Sequence, residues 1–319
     1  MASWAVGGKA GVMPWVKVGW SALMAAAVVA LVFAQRGVLL SGVSRLGSAD
    51  PRWLVPAGFS AGVLWLASAL SQAGAVGSDL PFPRLCAVQA AASFADHFLP
   101  GGSGGFLVNV RFLRRQGLTR PEAATSIVIR SVVGWCVRLP LLVAVLVWQP
   151  QYVLPLGRRI PDGPAELGVA VALTVAIAVL LVVARHRYRS GAPQWFTDLR
   201  TGMAVLRTPG KAAALWLGAL IAPLLHALVL FAVAQAMHVD LSWVHVLVLY
   251  LGVSTLTGIL PIPGAVGALE VVLVAALIAA GVPGADAAGT TVAYRMITVW
   301  LPLLPAGVLL ALLVRRNVV

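Results

Sequence analysis

Residues 85–120 read LCAVQAAASFADHFLPGGSGGFLVNVRFLRRQGLTR, and their reading decides the fold. An apolar run enters at Leu85, breaks at Pro100-Gly101-Gly102-Ser103-Gly104-Gly105, resumes, and leaves through Arg111, Arg114, Arg115 and Arg120. Read as one crossing, the segment puts that basic run on the face opposite Arg84. Read as a hairpin that enters and leaves on one side, Leu85–Phe112 keeps the cations together. Pro100 brings no N–H and its glycines permit non-helical dihedrals, so the chain can turn back there. Irregular backbone at membrane depth survives only when buried in protein or lining a water-filled cavity. The competing reading is an ordinary Gly-rich loop.

The hairpin argument presumes a membrane, and composition supplies it. Of 319 residues, 60% are hydrophobic and 10% charged, with a mean hydropathy of +0.94. A soluble domain carries about 25% charged residues. Disorder is excluded by the abundance of apolar residues, and a β-barrel by their continuity. The expectation is an all-α polytopic membrane protein forming a single integral domain over residues 1–319. It has about seven spans plus two re-entrant Pro-Gly helical hairpins arranged as inverted repeats. Stretches of about 20 apolar residues cross the hydrocarbon; they fall at Trp15–Ala34, Trp53–Ala73, Ala123–Trp148, Leu167–Val183, Ala212–Met237 and Ala287–Val314. The first reads as a retained helix rather than a cleaved signal peptide. The second hairpin covers Val244–Leu260 and Ala265–Ala280.

The charges record orientation. Lys and Arg number 23 against 10 Asp and Glu, a net +13. In a soluble protein that excess raises nucleic acid; here basic residues mark cytoplasmic loops. With a cytoplasmic N-terminus and the hairpin reading, fifteen basic residues lie inside. Only Arg36, Arg45, Arg52, Arg158 and Arg159 lie outside. Both termini are then cytoplasmic in a multi-pass plasma-membrane protein. The basic loop 185–211 lies along the inner surface near anionic lipid. Cys86 and Cys136 sit in apolar segments without a CxxC partner and read as packing residues.

The break recurs. Pro100-Gly101, Gly104, Gly117, Glu122-Ala123-Ala124, Arg130 and Trp135 are echoed by Pro263-Gly264, Gly267, Gly281, Asp286-Ala287-Ala288, Arg295 and Trp300. The offset drifts from 163 residues at the prolines to 165 at the tryptophans. Repeat 1 covers about 84–148 and repeat 2 about 243–314. By the charge count the first hairpin enters from the cytoplasm and the second from outside, so the repeats are inverted. Inverted repeats with broken helices at the midplane are a transporter signature. Thr119-Arg120-Pro121-Glu122 fits a capping box opening the helix after the first hairpin.

At Leu99–Gly105 with Arg111, at Pro261–Glu270, and at Tyr294-Arg295 through Trp300-Leu301-Pro302, the chain resembles the lysylphosphatidylglycerol synthase transmembrane-region family. These are also called flippase-like domain proteins. The resemblance covers about residues 15–316. The second motif, Pro-Gly-x-x-Gly-x-x-Glu, is the more specific. The first departs from a common form with Arg after Pro-Gly and an acid after the last glycine; Gly102 and Gly105 fill those slots. No headgroup preference is therefore carried over. The 319 residues carry no soluble aminoacyl-transferase domain of the kind some members have. The resemblance implies a stand-alone translocator of a lipid or lipid-linked molecule.

Ionisable residues inside spans are costly and mark candidate sites. Arg130 and Arg138, eight residues apart, lie about 80° from each other around one helix. With Arg295, Glu270 and Arg111 they are candidate substrate-binding residues for a phosphate-bearing headgroup, which a guanidinium fork suits. A structural pair of Glu270 with Arg295 or Arg130 is the other reading. Half-helix N-termini after Pro100 and Pro263 point backbone donors of Gly101, Gly102, Gly104, Gly264 and Gly267 at an anion. Close helix packing through small residues is the alternative there. Asp96 and His97 are candidate proton-linked groups, whereas His226, His238 and His245 read as packed or interfacial. No phosphate-binding loop, Asp-x-Asp pair or metal-ligand spacing occurs, so no cofactor and no metal are expected. The expected function is a flippase-type transporter moving an anionic phospholipid or lipid-linked intermediate through a cavity between the repeats. Its partners are membrane lipids and a separate biosynthetic enzyme supplying them, with no nucleic acid. The alternatives are a membrane transferase of sugar or aminoacyl groups, and a scaffold, for which retained buried charge is hard to explain.

Overall fold

A computed structural model describes Gly47 and residues 49–98, 103–148, 202–259 and 268–319. The expected spans Trp15–Ala34 and Leu167–Val183 lie outside these residues, as do most of the basic loop and both Pro-Gly breaks. The regular elements of the described residues are all helical, with no strand among them. In chain order the elements are α1 (Pro51–Gly74), α2 (Phe82–Phe98), α3 (Ser103–Arg115) and α4 (Arg120–Trp148). A short 3-10 turn, Met203–Arg207, precedes α5 (Pro209–Ala236). Then follow α6 (Trp243–Ile259), α7 (Ala268–Ala279) and α8 (Gly284–Arg295). A π turn, Met296–Trp300, joins α8 to α9 (Leu301–Arg315).

Among the described residues four helices are long and apolar enough to cross a membrane: α1, α4, α5 and the continuous rod Gly284–Arg315. Their ends are written locally. Asp50 caps α1 by accepting the Arg52 N–H at 2.9 Å, with Pro51 in the first turn. The capping box of α4 forms as the sequence predicts: the Thr119 N–H donates to Glu122 Oε2 at 2.8 Å and the Glu122 N–H to Thr119 Oγ1 at 3.4 Å. Pro302 lacks the N–H that would bond Thr298, and its ring crowds that carbonyl. The rod widens into its π turn just before this proline.

The segments α2–α4 and α6–α9, expected to be hairpins each followed by a long helix, have elements of similar length. The first runs 17, 13 and 29 residues through α2, α3 and α4. The second has arms of 17 and 12 residues before its 32-residue rod. The second arms end alike: Leu118 N–H bonds Leu113 C=O at 3.2 Å, and Val282 N–H bonds Leu277 C=O at 3.1 Å. Between each pair sits a glycine in the left-handed region, Gly117 at φ 97° and Gly281 at φ 92°. Counted from these caps the repeats are 164 residues apart, which sets Tyr294 rather than Arg295 opposite Arg130. The π turn adds one residue before Trp300, and so accounts for the 165-residue spacing of the tryptophans.

The helices preceding the hairpins, α1 and α5, form the most extensive helix pair. They run antiparallel: Ser71 Oγ–H donates to Leu215 C=O near one end, and the Asp50 N–H to Ala236 C=O at the other. A methyl group on Gly218 would lie 2.5 Å from Ser71 N, so the close approach needs glycine there. Each repeat's long helix also packs on the other repeat's entering arm, α4 on α6 and α9 on α2.

Charge sorts to the ends. Leu85, Phe112, Leu113, Ala123, Leu313 and Val319 share one buried cluster, which places the start of α2, the end of α3, the start of α4 and the end of α9 together. Nine cations belong to this end: Arg84, Arg111, Arg114, Arg115, Arg120, Arg207, Lys211, Arg315 and Arg316. Lys211 donates to Asp79 at 2.8 Å, which holds that carboxyl below its usual range. At the other end the described residues carry Arg52 with Asp50, Asp240 and Asp286. Arg130, Arg138 and Arg295 lie between.

Candidate functional site

Asp96, in the last turn of α2, ties that helix to the start of α3. Its carboxylate accepts the Gly105 N–H at 2.6 Å. That amide is among the first four of α3, which have no acceptor within the helix, so Asp96 caps α3 from across the break. A methyl group on Gly105 would lie 2.8 Å from the Asp96 carboxylate carbon, so any larger residue there would push that carboxylate aside.

A chain of buried hydrogen bonds runs from this cap into α4. Asn109 donates to the Gly105 carbonyl at 2.8 Å, and Gln89 Nε2 to Asn109 Oδ1 at 2.7 Å. Arg130 Nη1 donates to Gln89 Oε1 at 3.0 Å and to Gln72 Oε1 at 3.4 Å. Gln72 Nε2 reaches Ser126 Oγ at 3.2 Å. Buried polar groups persist when they are bonded, and this network spends one Arg130 nitrogen on two amide oxygens.

Beside the network lies a cavity of about 770 Å³, within the range of small-molecule sites. Its walls include Asp96, Arg130 and Arg138, the aromatic rings of Trp65, Phe106 and Trp135, and the hydroxyls of Ser68, Ser93, Ser131 and Thr298. Arg138 sits a little over two turns beyond Arg130. Its guanidinium lies 5.5 Å from the Trp135 ring centre and reaches the Ser254 carbonyl of α6 at 3.5 Å. Its buried Nε has no hydrogen-bond partner. His226 completes the far wall, stacked on Tyr250 at 5.3 Å and bonded to the Tyr294 hydroxyl at 3.0 Å.

The structure thus divides the sequence candidates. Arg130, Arg138 and Asp96 line one cavity. Arg295 instead donates to Glu270 at 2.6 Å, joining α8 to the first turn of α7, and neither is among the residues lining the cavity. Arg111 is exposed on α3 at the basic end. His97 bonds the Ser93 carbonyl through Nδ1 at 2.7 Å. Gly104 packs against Ala95. Pro100, Gly101, Gly102, Pro263, Gly264 and Gly267 lie outside the described residues. Sequence reasoning missed Gln72, Gln89, Asn109, Tyr250 and Tyr294. The three amides had a signal, being uncharged polar side chains in otherwise apolar helices. Among the described residues no group of three or more His, Cys, Asp or Glu is placed to hold a metal.

The family model described as the lysylphosphatidylglycerol synthase TM region matches residues 5–306. No curated protein matches the chain.

Proposed function

The chain belongs to the lysylphosphatidylglycerol synthase transmembrane-region family, and from that premise we propose that it is a flippase-type transporter rather than an enzyme. It carries a lipid, or lipid-linked intermediate, with an anionic headgroup between leaflets of the plasma membrane. The observation that carries this reading is the cavity of about 770 Å³ bearing two guanidiniums and a carboxylate beside a helix break. Charged groups at this depth are costly unless they face a bundle interior or an aqueous path.

The corresponding hairpins, the antiparallel pair of α1 and α5 and the reciprocal packing of α4 on α6 and α9 on α2 support inverted repeats. Under that arrangement the hairpins are re-entrant, and exchange of conformation between repeats moves the cavity's opening from one face to the other. Nine cations at one end support a cytoplasmic assignment for that end and for the C-terminus. Asp96 on the cavity wall is the candidate proton-linked group, with a separate biosynthetic enzyme supplying the lipid.

The test reconstitutes the full chain in liposomes carrying fluorescent phosphatidylglycerol in one leaflet. Transfer faster than in protein-free vesicles, and abolished in an Arg130→Ala/Arg138→Ala double variant, is the expected result. Product formation from a sugar or aminoacyl donor by the purified chain, without transfer, would replace this reading with the transferase.

A further inference from the structure

We infer that Arg138, not Arg130, is the residue that binds the phosphate of the carried headgroup, and that Arg130 is a positioning residue. The inference rests on reading the cavity as the headgroup site. The two arginines share one helix and one cavity, yet their surroundings differ in kind. Arg130 is built into the wall, its Nη1 shared between Gln89 and Gln72. Those amides continue through Asn109 and Gly105 to Asp96. Its charge is therefore already met by oriented carbonyl dipoles, and its hydrogen bonds fix the amides of α1 and α2 against α4.

Arg138 has no such shell. A cation–π contact with Trp135 and a long bond to the Ser254 carbonyl hold it, and its buried Nε lacks a partner. A buried, unmet donor costs about 1–3 kcal/mol, so the contacts Arg138 makes satisfy it less fully than those of Arg130. Nε itself is closed off, so the planar guanidinium meets a phosphate through its Nη groups, a charge-assisted fork that suits two oxygens. The indole beneath the guanidinium orients that fork without consuming its hydrogens.

Position strengthens the assignment. Arg138 belongs to the first repeat and touches the second through Ser254. Gly258 of α6 lies beside it, where a methyl group would meet Trp135 at 3.0 Å. An anion at Arg138 therefore sits at the seam between α4 and α6. Contacts made there change when one repeat moves against the other, which a ligand must exploit to shift a conformational equilibrium.

The experiment measures lipid retention by native mass spectrometry on the purified full chain, offered equal amounts of phosphatidylglycerol and chain-matched diacylglycerol. A charge-assisted bidentate contact is expected to favour the phosphate lipid by about tenfold or more. Arg138→Gln is expected to bring that ratio within about twofold of unity. Arg130→Gln is expected to lower retention of both lipids while preserving the ratio, which a phosphate ligand's loss would not do. Arg130→Lys, still able to donate to Gln89, is expected to recover retention. An undiminished ratio in Arg138→Gln, or its loss in Arg130→Gln, overturns the inference. Where the glutamine variant of Arg138 does not fold, Arg138→Met serves with the same two outcomes. Excess inorganic phosphate is expected to leave bound phosphatidylglycerol in place; displacement would overturn the lipid source while leaving Arg138 as the phosphate ligand. Preserved discrimination in a chain that moves no lipid in liposomes sinks the transporter reading and spares this one.

Discussion

Arg295 donates its Nε hydrogen to Glu270 Oε1 at 2.6 Å, and the pair is only partly exposed, 13% for the arginine side chain and 28% for the carboxylate. It ties the end of α8 to the first turn of α7. Breaking a fully buried pair costs about 3–5 kcal/mol, and an exposed pair contributes about 0–1 kcal/mol. Glu270→Gln and Arg295→Gln should each destabilise by about 2 kcal/mol. Because each single change removes the close opposite charge from the other residue, the double variant should be less destabilised than the sum of the singles. Thermal unfolding of the four proteins in one detergent checks this; strict additivity would mean the two side chains are not coupled.

Gln89 holds the polar network at its centre, accepting from Arg130 and donating to Asn109. Gln89→Leu keeps the volume but takes one partner from each neighbour, the stronger of two from Arg130 and the donor to Oδ1 from Asn109, so it should cost about 2–3 kcal/mol. Ser131→Ala, also on the cavity wall but exposed and bonded only to its own helix through Ile127 C=O, should stay within about 0.5 kcal/mol of wild type. Equal losses in the two variants would show that the network adds nothing to stability.

Glycines on the two faces of α1 should behave oppositely. A methyl group on Gly218 of α5 would lie 2.7 Å from the Ala67 carbonyl of α1, whereas one on Gly62 meets nothing within 4 Å. Gly218→Val should cost about 3 kcal/mol or more, since backbone rather than a flexible side chain must move. Gly62→Ala should stabilise by about 0.5–1 kcal/mol, by narrowing the unfolded ensemble. Unfolding midpoints read both signs; a Gly218→Val protein as stable as wild type would refute the close packing of α1 on α5.

What could be read in advance follows from how local each cause is. The cap of α4 depends on Thr119 and Glu122, three residues apart, and forms as read. α2 ends at Phe98 and α3 begins at Ser103, on either side of the stretch whose proline and glycines read as a break in the sequence. Arg130 and Arg138 share a cavity because helical spacing fixes their relative direction. The partners of Arg130 were not legible: Gln72 is 58 residues away and Gln89 is 41, brought near by the packing of α1 and α2 on α4. Equally hidden was the choice of Arg295 over Arg130 for Glu270, because both arginines lie in spans. The one-residue drift between repeats was visible as a number. Its cause, the π turn ahead of Pro302, needed the backbone.

The two second-arm caps give the repeat its most direct test. Gly117 and Gly281 hold φ of 97° and 92°, each followed by a backbone bond reaching back five residues, Leu118 to Leu113 and Val282 to Leu277. An L side chain there brings its Cβ against the neighbouring carbonyl, at a cost of about 1–2 kcal/mol. A methyl group at either position meets no other atom within 4 Å, so steric contact with the rest of the protein adds nothing. Gly117→Ala and Gly281→Ala should therefore lose the same stability, about 1–2 kcal/mol each. Asn, which tolerates the left-handed region better, should recover part of that loss at both positions. The comparison isolates backbone conformation, because packing is absent from both sites. A large loss at one glycine beside none at the other would show that the matching caps are not equivalent, and with them the hairpins.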